Sequence, residues 1–404
     1  MEKQLIPQLR FPEFSENWEI KYIKDIAKVV GGGTPSTTNV EYWNGDINWF
    51  TPTEIKFDCV SESKRKITDL GLNKSSATLL PKGTILLTTR ATIGEMSIAQ
   101  QECTTNQGFQ SLVVNNNNSN QFVFDLIKVY RKELYKRANG STFKEVSKKE
   151  IEKIEVLIPS FPEQQKIASF LSDVDKVITK LTKKKELLEQ YKKGIMQKIF
   201  NQELRFKDEN GSKYPNWEEK QLRDVANYRR GSFPQPYGLP KWYDKANGIP
   251  FVQVYDVDDN MLLKPTTKHR ISVLGAKQSV FVEKGTLIIT IQGSIGRIAK
   301  TQYDAYIDRT LLIFQSYKKP LNIDYFKYVL FLLFEIEKRK APGGIIKTIT
   351  KEVLSSFNVM IPSMDEQTKI ANFLSDIDLK IEALNNKIED SKKLKKGLLQ
   401  KMFV

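Results

Sequence analysis

Histidine and cysteine are almost missing from this chain, with one histidine and two cysteines among 404 residues. A lone His269 rules out a His-Glu-x-x-His centre and any finger of paired Cys and His ligands. It lies in Lys268-His269-Arg270 and reads as a surface residue. Cys59 and Cys103 are too few for a disulfide framework. No apolar run approaches the roughly 18–20 residues that span a bilayer. The most apolar stretch, from Tyr325 to Ile336, is cut by Lys327 and Glu335. The start, Met1-Glu2-Lys3-Gln4, has no apolar signal core, so a cytoplasmic protein without membrane contact is expected. Also missing are a Gly-x-x-x-x-Gly-Lys-Ser/Thr phosphate loop, a glycine-rich cofactor loop after a strand and an Asn-Pro-Pro-Tyr-like run. The acidic run Asp256-Val257-Asp258-Asp259 reads as a charged loop. Neither catalysis nor a cofactor or metal is expected.

What the chain has in excess is positive charge. The net charge is +15 and the isoelectric point about 9.4. Such a balance favours a polyanionic partner, nucleic acid first, although a solvated lysine-rich surface gives the same number.

Organisation decides more than composition. The segment from Ile158-Pro159-Ser160 through Glu163-Gln164 to Phe170-Leu171 returns 203 residues later, from Ile361-Pro362-Ser363 through Glu366-Gln367 to Phe373-Leu374. The match runs without a gap to Phe200 and Phe403, with about half the positions identical. A period of this length is a domain duplication, because solenoid repeats run about 20–50 residues. Leu9-Arg10-Phe11 before Trp18 is likewise echoed by Leu204-Arg205-Phe206 before Trp217. Between these flanks the copies match only at anchors such as Gly83-Thr84-Ile85-Leu86-Leu87-Thr88 and Gly285-Thr286-Leu287-Ile288-Ile289-Thr290. The chain thus carries one scaffold twice, with two different variable regions.

Each copy ends in a long helix. Apolar residues step through Ile167, Leu171, Val174, Ile178 and Leu181, resume at Leu188, and recur from Ile370 through Leu374, Ile377, Ile381 and Leu384 to Ile388. This is a heptad seam of about five heptads. Lys185 interrupts the first seam where the second has Ile388, so pairing within one chain is favoured over pairing of two identical helices. The domains before the helices mix glycine-opened strands, Gly83–Thr89 and Gly285–Ile291, with helical patterns at Phe122–Lys136 and Ile323–Arg339. The expected fold is therefore α+β. Two globular domains stand in tandem, each followed by a long helix, and the helices form an antiparallel coiled coil with pseudo-twofold symmetry. The boundaries are 1–158 and 204–361 for the domains, and 159–203 and 362–404 for the helices. Because Phe403-Val404 would join naturally onto Leu9-Arg10-Phe11, the two ends of the chain are expected to lie together.

This two-copy plan, with Gly33-Thr34-Pro35-Ser36 early in the first copy and Ile-Pro-Ser…Glu-Gln…Ile-Ala…Phe-Leu opening both helices, resembles the specificity subunit of type I restriction-modification systems. The resemblance covers essentially the whole chain. It departs in the second copy, which reads Gly231-Ser232-Phe233-Pro234. It implies two target-recognition domains, each reading half of a split double-stranded DNA target. It also implies helices that act as a ruler and dock two methyltransferase subunits, with two restriction/translocase subunits joining for cleavage. A non-catalytic subunit is implied.

Chemistry nominates the contacts. Arginine pairs bidentately with guanine, and asparagine or glutamine with adenine. In the first domain the candidates are Thr89, Arg90 and Thr92 after a strand, with Asn106 and Gln107; Thr34 and Ser36 offer hydroxyls to phosphate. In the second they are Gln253 and Tyr255 on a strand-like segment, Gln292 and Ser294 in the aligned turn, and Arg309. Lys144 and Lys347 each follow a glycine-bearing loop and suit phosphate. The alternative from another class is a coiled-coil scaffold or adaptor that reads no sequence; specific DNA binding separates the two.

Overall fold

A computed structural model describes residues 6–55, 59–139, 144–340, 349 and 351–404. The chain divides into two compact units: Met1–Lys183 with Asn385–Val404, and Lys184–Leu384. Each unit therefore takes a globular domain, the start of the helix that follows it and the end of the other helix.

In the first unit a five-stranded sheet runs Ala27–Gly31, Gln110–Val114, Ile85–Leu87, Met96–Ala99, Cys59–Val60 in spatial order. A three-stranded sheet, Arg65–Ile67, Trp43–Phe50, Cys103–Thr105, stands beside it in the chain order. The second unit repeats the plan with two four-stranded sheets. Their orders are Ala226–Arg230, Leu311–Tyr317, Leu287–Thr290, Ile298–Lys300 and His269–Ile271, Ile249–Val252, Ala305–Ile307, Val280–Val282. In both units the second sheet contains one parallel pair, Trp43–Phe50 with Cys103–Thr105 and Ile249–Val252 with Ala305–Ile307. The unbroken apolar runs mark strands covered on both faces. Ile85 and Leu87 enter one core while Leu86, between them, enters another; Leu287 and Ile289 part from Ile288 in the same way.

The long helices are Phe161–Phe200 and Met364–Met402. Ile167, Leu171, Ile370 and Leu374 are buried in the cores of their own units. Within each unit the two helix segments run antiparallel. Asp175 pairs with Lys395 at 2.5 Å in the first, and Lys192 pairs with Asp378 in the second. The two ion pairs are repeat-equivalents of each other, so both units hold the seam in the same register. Ile377, Ile381, Leu384 and Ile388 are buried along it.

The Glu-Gln that opens each helix fastens helix to domain. Glu163 accepts both guanidinium N–H bonds of Arg10, at 2.7 and 2.8 Å, and a third from Trp18 Nε1. Glu366 does the same for Arg205, at 3.1 and 2.7 Å, and for Trp217 Nε1 at 2.9 Å. Gln164 donates to the Pro159 carbonyl and accepts from Ser119 N; Gln367 donates to Pro362 and accepts from Asn322 N. All four side chains are buried, and a buried carboxylate is stable only when its oxygens are filled this way.

The chain ends meet as expected. Leu9 N donates to the Lys401 carbonyl at 2.8 Å, where in the second unit Leu204 N donates to Lys198 at 3.1 Å. Phe403 packs on Trp18 and Phe122 as Phe200 packs on Trp217 and Tyr325. A non-covalent junction in one unit thus copies the continuous chain of the other.

The helix expected over Phe122–Lys136 divides into Asn120–Val129 and Arg131–Lys136, and the Tyr130 hydroxyl at the break donates to the Val404 carbonyl. The strand expected through Gln253 and Tyr255 stops at Val252. Asp256 accepts Gln253 N at 2.9 Å and winds Val254–Asp256 into a 3-10 turn. His269 is half-buried on a strand beside Tyr243, ring centroids 5.2 Å apart, rather than on the surface. Asp256 is no loop charge either. It is buried and also accepts Lys268 N, and burial raises its pKa above the ordinary carboxylate value.

Candidate nucleic-acid interface

Two loops, two turns and a strand end converge at matching places in both units, and the backbone bonds that hold them are the same. Gly33 N reaches the Thr105 carbonyl at 2.8 Å, and Ser232 N reaches Ile307 at 2.9 Å. Asn106 N donates to Phe50 and Asp308 N to Val252, each at 3.0 Å. Gly94 N closes on Thr88 and Gly296 N on Thr290, each at 2.9 Å. The crossing is so close that a Cβ on Gly32 would lie 1.9 Å from the Asn106 carbonyl oxygen, and one on Gly231 would lie 2.3 Å from that of Ile307. Only glycine fits either position.

On this shared frame the side chains differ. Position by position, Thr34 aligns with Phe233, Thr51 with Gln253, Thr53 with Tyr255, Arg90 with Gln292, Asn106 with Asp308 and Gln107 with Arg309. The turn also differs in backbone comfort. Ala91 takes a positive φ of 56° where the second unit has Gly293 at 67°.

In the second unit these positions line a cleft of about 420 Å³ that gathers four expected residues, Gln253, Tyr255, Gln292 and Arg309. Phe233 and Tyr237, which the sequence did not offer as contacts, line it too, as does Asp308. The Arg309 guanidinium lies 4.4 Å from the Phe233 ring centroid, and Phe233 packs on Tyr237 at 4.5 Å. Gln253 is buried, and both ends of its amide are engaged. Its Nε2 donates to Asp308 at 3.4 Å, and its Oε1 accepts the Tyr255 hydroxyl. Burial, then the neighbouring Asp256 charge, raises the Tyr255 pKa well above the ordinary phenol value, so its hydroxyl stays neutral at physiological pH. Lys268 lies over the Tyr255 ring at 4.8 Å. Ser294 is exposed in the same turn as Gln292.

In the first unit the Thr34 hydroxyl donates to Gln107 Oε1. The Gly-Thr-Pro-Ser loop is held from beneath by Trp49, whose Nε1 donates to the Gly33 carbonyl at 2.9 Å, and by Trp43, whose Nε1 donates to Ser36 at 3.0 Å. Gly32 N and Gly33 N both donate within the unit, to the Phe109 and Thr105 carbonyls. Ser36 is exposed and bonded to Thr38. Thr89 is buried, its hydroxyl on the Gly108 carbonyl, and Thr92 reaches Thr88 at 3.4 Å; both serve the turn. Asn106 is half-buried and accepts Gly108 N. Arg90 is exposed and paired with Glu145 at 2.9 Å. Lys144 is exposed next to Glu145. Lys347 falls outside the described residues. Among the described residues no cluster of His, Cys, Asp or Glu is placed to hold a metal, and no helix is long and apolar enough to cross a membrane.

Comparison with known proteins agrees with this two-copy arrangement. A family model described as the type I restriction modification DNA specificity domain matches twice, over residues 15–190 and 214–391. The MjaIX specificity subunit of Methanocaldococcus jannaschii is 36% identical over 252 residues, which is 59% of this chain and 58% of that protein. The MjaX putative specificity subunit of the same organism is 25% identical over 96% of this chain and 93% of its own length. Among solved structures, the type I restriction-modification S subunit of M. genitalium superposes with a TM-score of 0.60 at 16% identity, covering 99% of both chains. A chain from a structure on complex assembly and conformational transition of the type I R-M system gives 0.59 at 18% identity, covering 96% and 97%. A doubled scaffold with divergent side chains at matching positions, and a family model matched once by each copy, place this chain in the type I restriction modification DNA specificity family.

Proposed function

We propose that the chain is the sequence-reading subunit of a type I restriction-modification complex, in which residues 1–158 read one half of a bipartite double-stranded DNA target and residues 204–361 the other. The observation that carries this reading is the matched frame with unmatched side chains. A protein that only scaffolds has no reason to keep Gly32 and Gly231 at the same close crossing while changing Thr34 to Phe233 and Gln107 to Arg309. Phosphate contacts, Lys144 foremost, set orientation; base-edge contacts set sequence. The helices at 159–203 and 362–404 set the spacing and dock two methyltransferase subunits, and two restriction/translocase subunits complete the assembly. Large apolar side chains left exposed on the helices, Val177, Leu187, Tyr191, Leu379 and Leu394, support a docking role.

Replacing residues 1–158 by those of a relative with a known target tests the reading. The complex with methyltransferase should exchange one half-site and keep the other. A swap that changes both halves or neither contradicts two independent readers.

A further inference from the structure

We propose that the two units read different purines through one matched position: Arg309 reads a guanine in the second half-site and Gln107 an adenine in the first. The proposal rests on the DNA-reading function above and deepens it. Arg309 is exposed at the rim of the cleft, its guanidinium 4.4 Å from the Phe233 ring centroid. Stacking on an aromatic face restricts the guanidinium plane and leaves its in-plane N–H donors for a ligand. Those donors, with no acceptor among them, fit the O6 and N7 of guanine and are mismatched to the N6 amino group of adenine. The neighbouring Asp308 does not neutralise this selectivity from within the cleft. It is buried and accepts from Gln253 Nε2, from Thr310 N at 2.9 Å and from Thr310 Oγ1 at 2.7 Å.

Gln107 occupies the same place on the frame with opposite chemistry. It is exposed, and the Thr34 hydroxyl donates to its Oε1, which fixes the oxygen end of the amide. The oxygen keeps a second lone pair and Nε2 keeps its donors, the acceptor–donor pair that matches adenine N6 and N7. Thr34 and Phe233, aligned on the frame, are thus positioning residues for the two readers. Gln253, with both amide ends engaged inside the unit, positions Tyr255 and reads no base.

The test uses the full chain in complex with its methyltransferase. Methylation sequencing first gives the target, and binding is then measured on duplexes carrying each single-base change. The wild-type complex should require guanine at one position of one half-site. Arg309→Ala should lower that preference roughly tenfold or more and leave discrimination in the other half-site intact. Gln107→Ala should do the mirror image at an adenine. Phe233→Ala should erode the guanine preference in part, without changing the salt dependence of binding. Equal weakening of all duplexes by Arg309→Ala, with a shallower salt dependence, would make Arg309 a phosphate contact and overturn the proposal. An unchanged preference would overturn it as well. A wild-type complex with no sequence preference would remove the DNA-reading function itself, a different result from either.

Discussion

The two units are alike where they must hold together and unlike at the candidate interface. The clamp of Glu163 with Arg10 and Trp18 recurs as Glu366 with Arg205 and Trp217. The seam ion pair recurs as Asp175–Lys395 and Lys192–Asp378. The glycine crossing recurs at Gly32 and Gly231. Against that constancy, the first unit presents threonines, Asn106 and Gln107, whereas the second presents Phe233, Tyr237, Tyr255 and Arg309 around a cleft. One fold can host two recognitions because the backbone bonds fix where side chains emerge, and nothing in those bonds depends on which side chain it is.

The comparison breaks most severely at the clamp. Glu163→Ala and Glu366→Ala each strand an arginine and an indole N–H, and each should cost about 3 kcal/mol. Chemical denaturation of the two variants should give matching losses; a loss confined to one unit would end the equivalence. Gly32→Ala and Gly231→Ala come next. Each sets a methyl group against a backbone carbonyl and should cost about 2 kcal/mol, with DNA binding impaired in the affected half-site only. Thermal unfolding and half-site duplexes check both.

A smaller change sharpens the contrast. In the second unit Asp378 also accepts the Tyr328 hydroxyl at 2.6 Å, whereas the first-unit residue aligned with Tyr328 is Asp125, bonded to Lys128. Tyr328→Phe should therefore destabilise by about 1 kcal/mol. The smallest effect belongs to Lys144. Replacing it by alanine should weaken binding uniformly and reduce the slope of log affinity against log salt by about one. A change in base preference would make it a reader instead.

Much of this was legible in the sequence, because it is carried by local pattern or by self-similarity. The duplication, the heptad seam, the buried strands and the meeting of chain ends needed only periodicity and the 203-residue offset. What escaped depends on partners far away in the chain. Glu163 and Gln164 read as a helix start, and their role as a clamp requires Arg10, 153 residues earlier. Lys185 and Leu188 stand out in the heptad pattern, while Asp175 and Lys395, 220 residues apart, do not. Within the candidate interface, Gln253 and Thr89 have the chemistry of readers but are buried and bonded internally, and composition cannot reveal burial. Phe233 enters the pattern only as part of the departure from Gly-Thr-Pro-Ser in the second copy, and Tyr237 lies beyond it. The departure was itself the signal, since it marks a position at which the two copies differ.

Whether two unlike readers stand on like frames is decided by methylation sequencing. The strain should carry the partner methyltransferase, lack its usual specificity subunit and be complemented with this chain. The expected result is a new methylated-adenine motif made of two different half-sites, separated by a fixed run of unspecified bases. Two identical half-sites, or no new motif from a soluble complex bound to the methyltransferase, would contradict it.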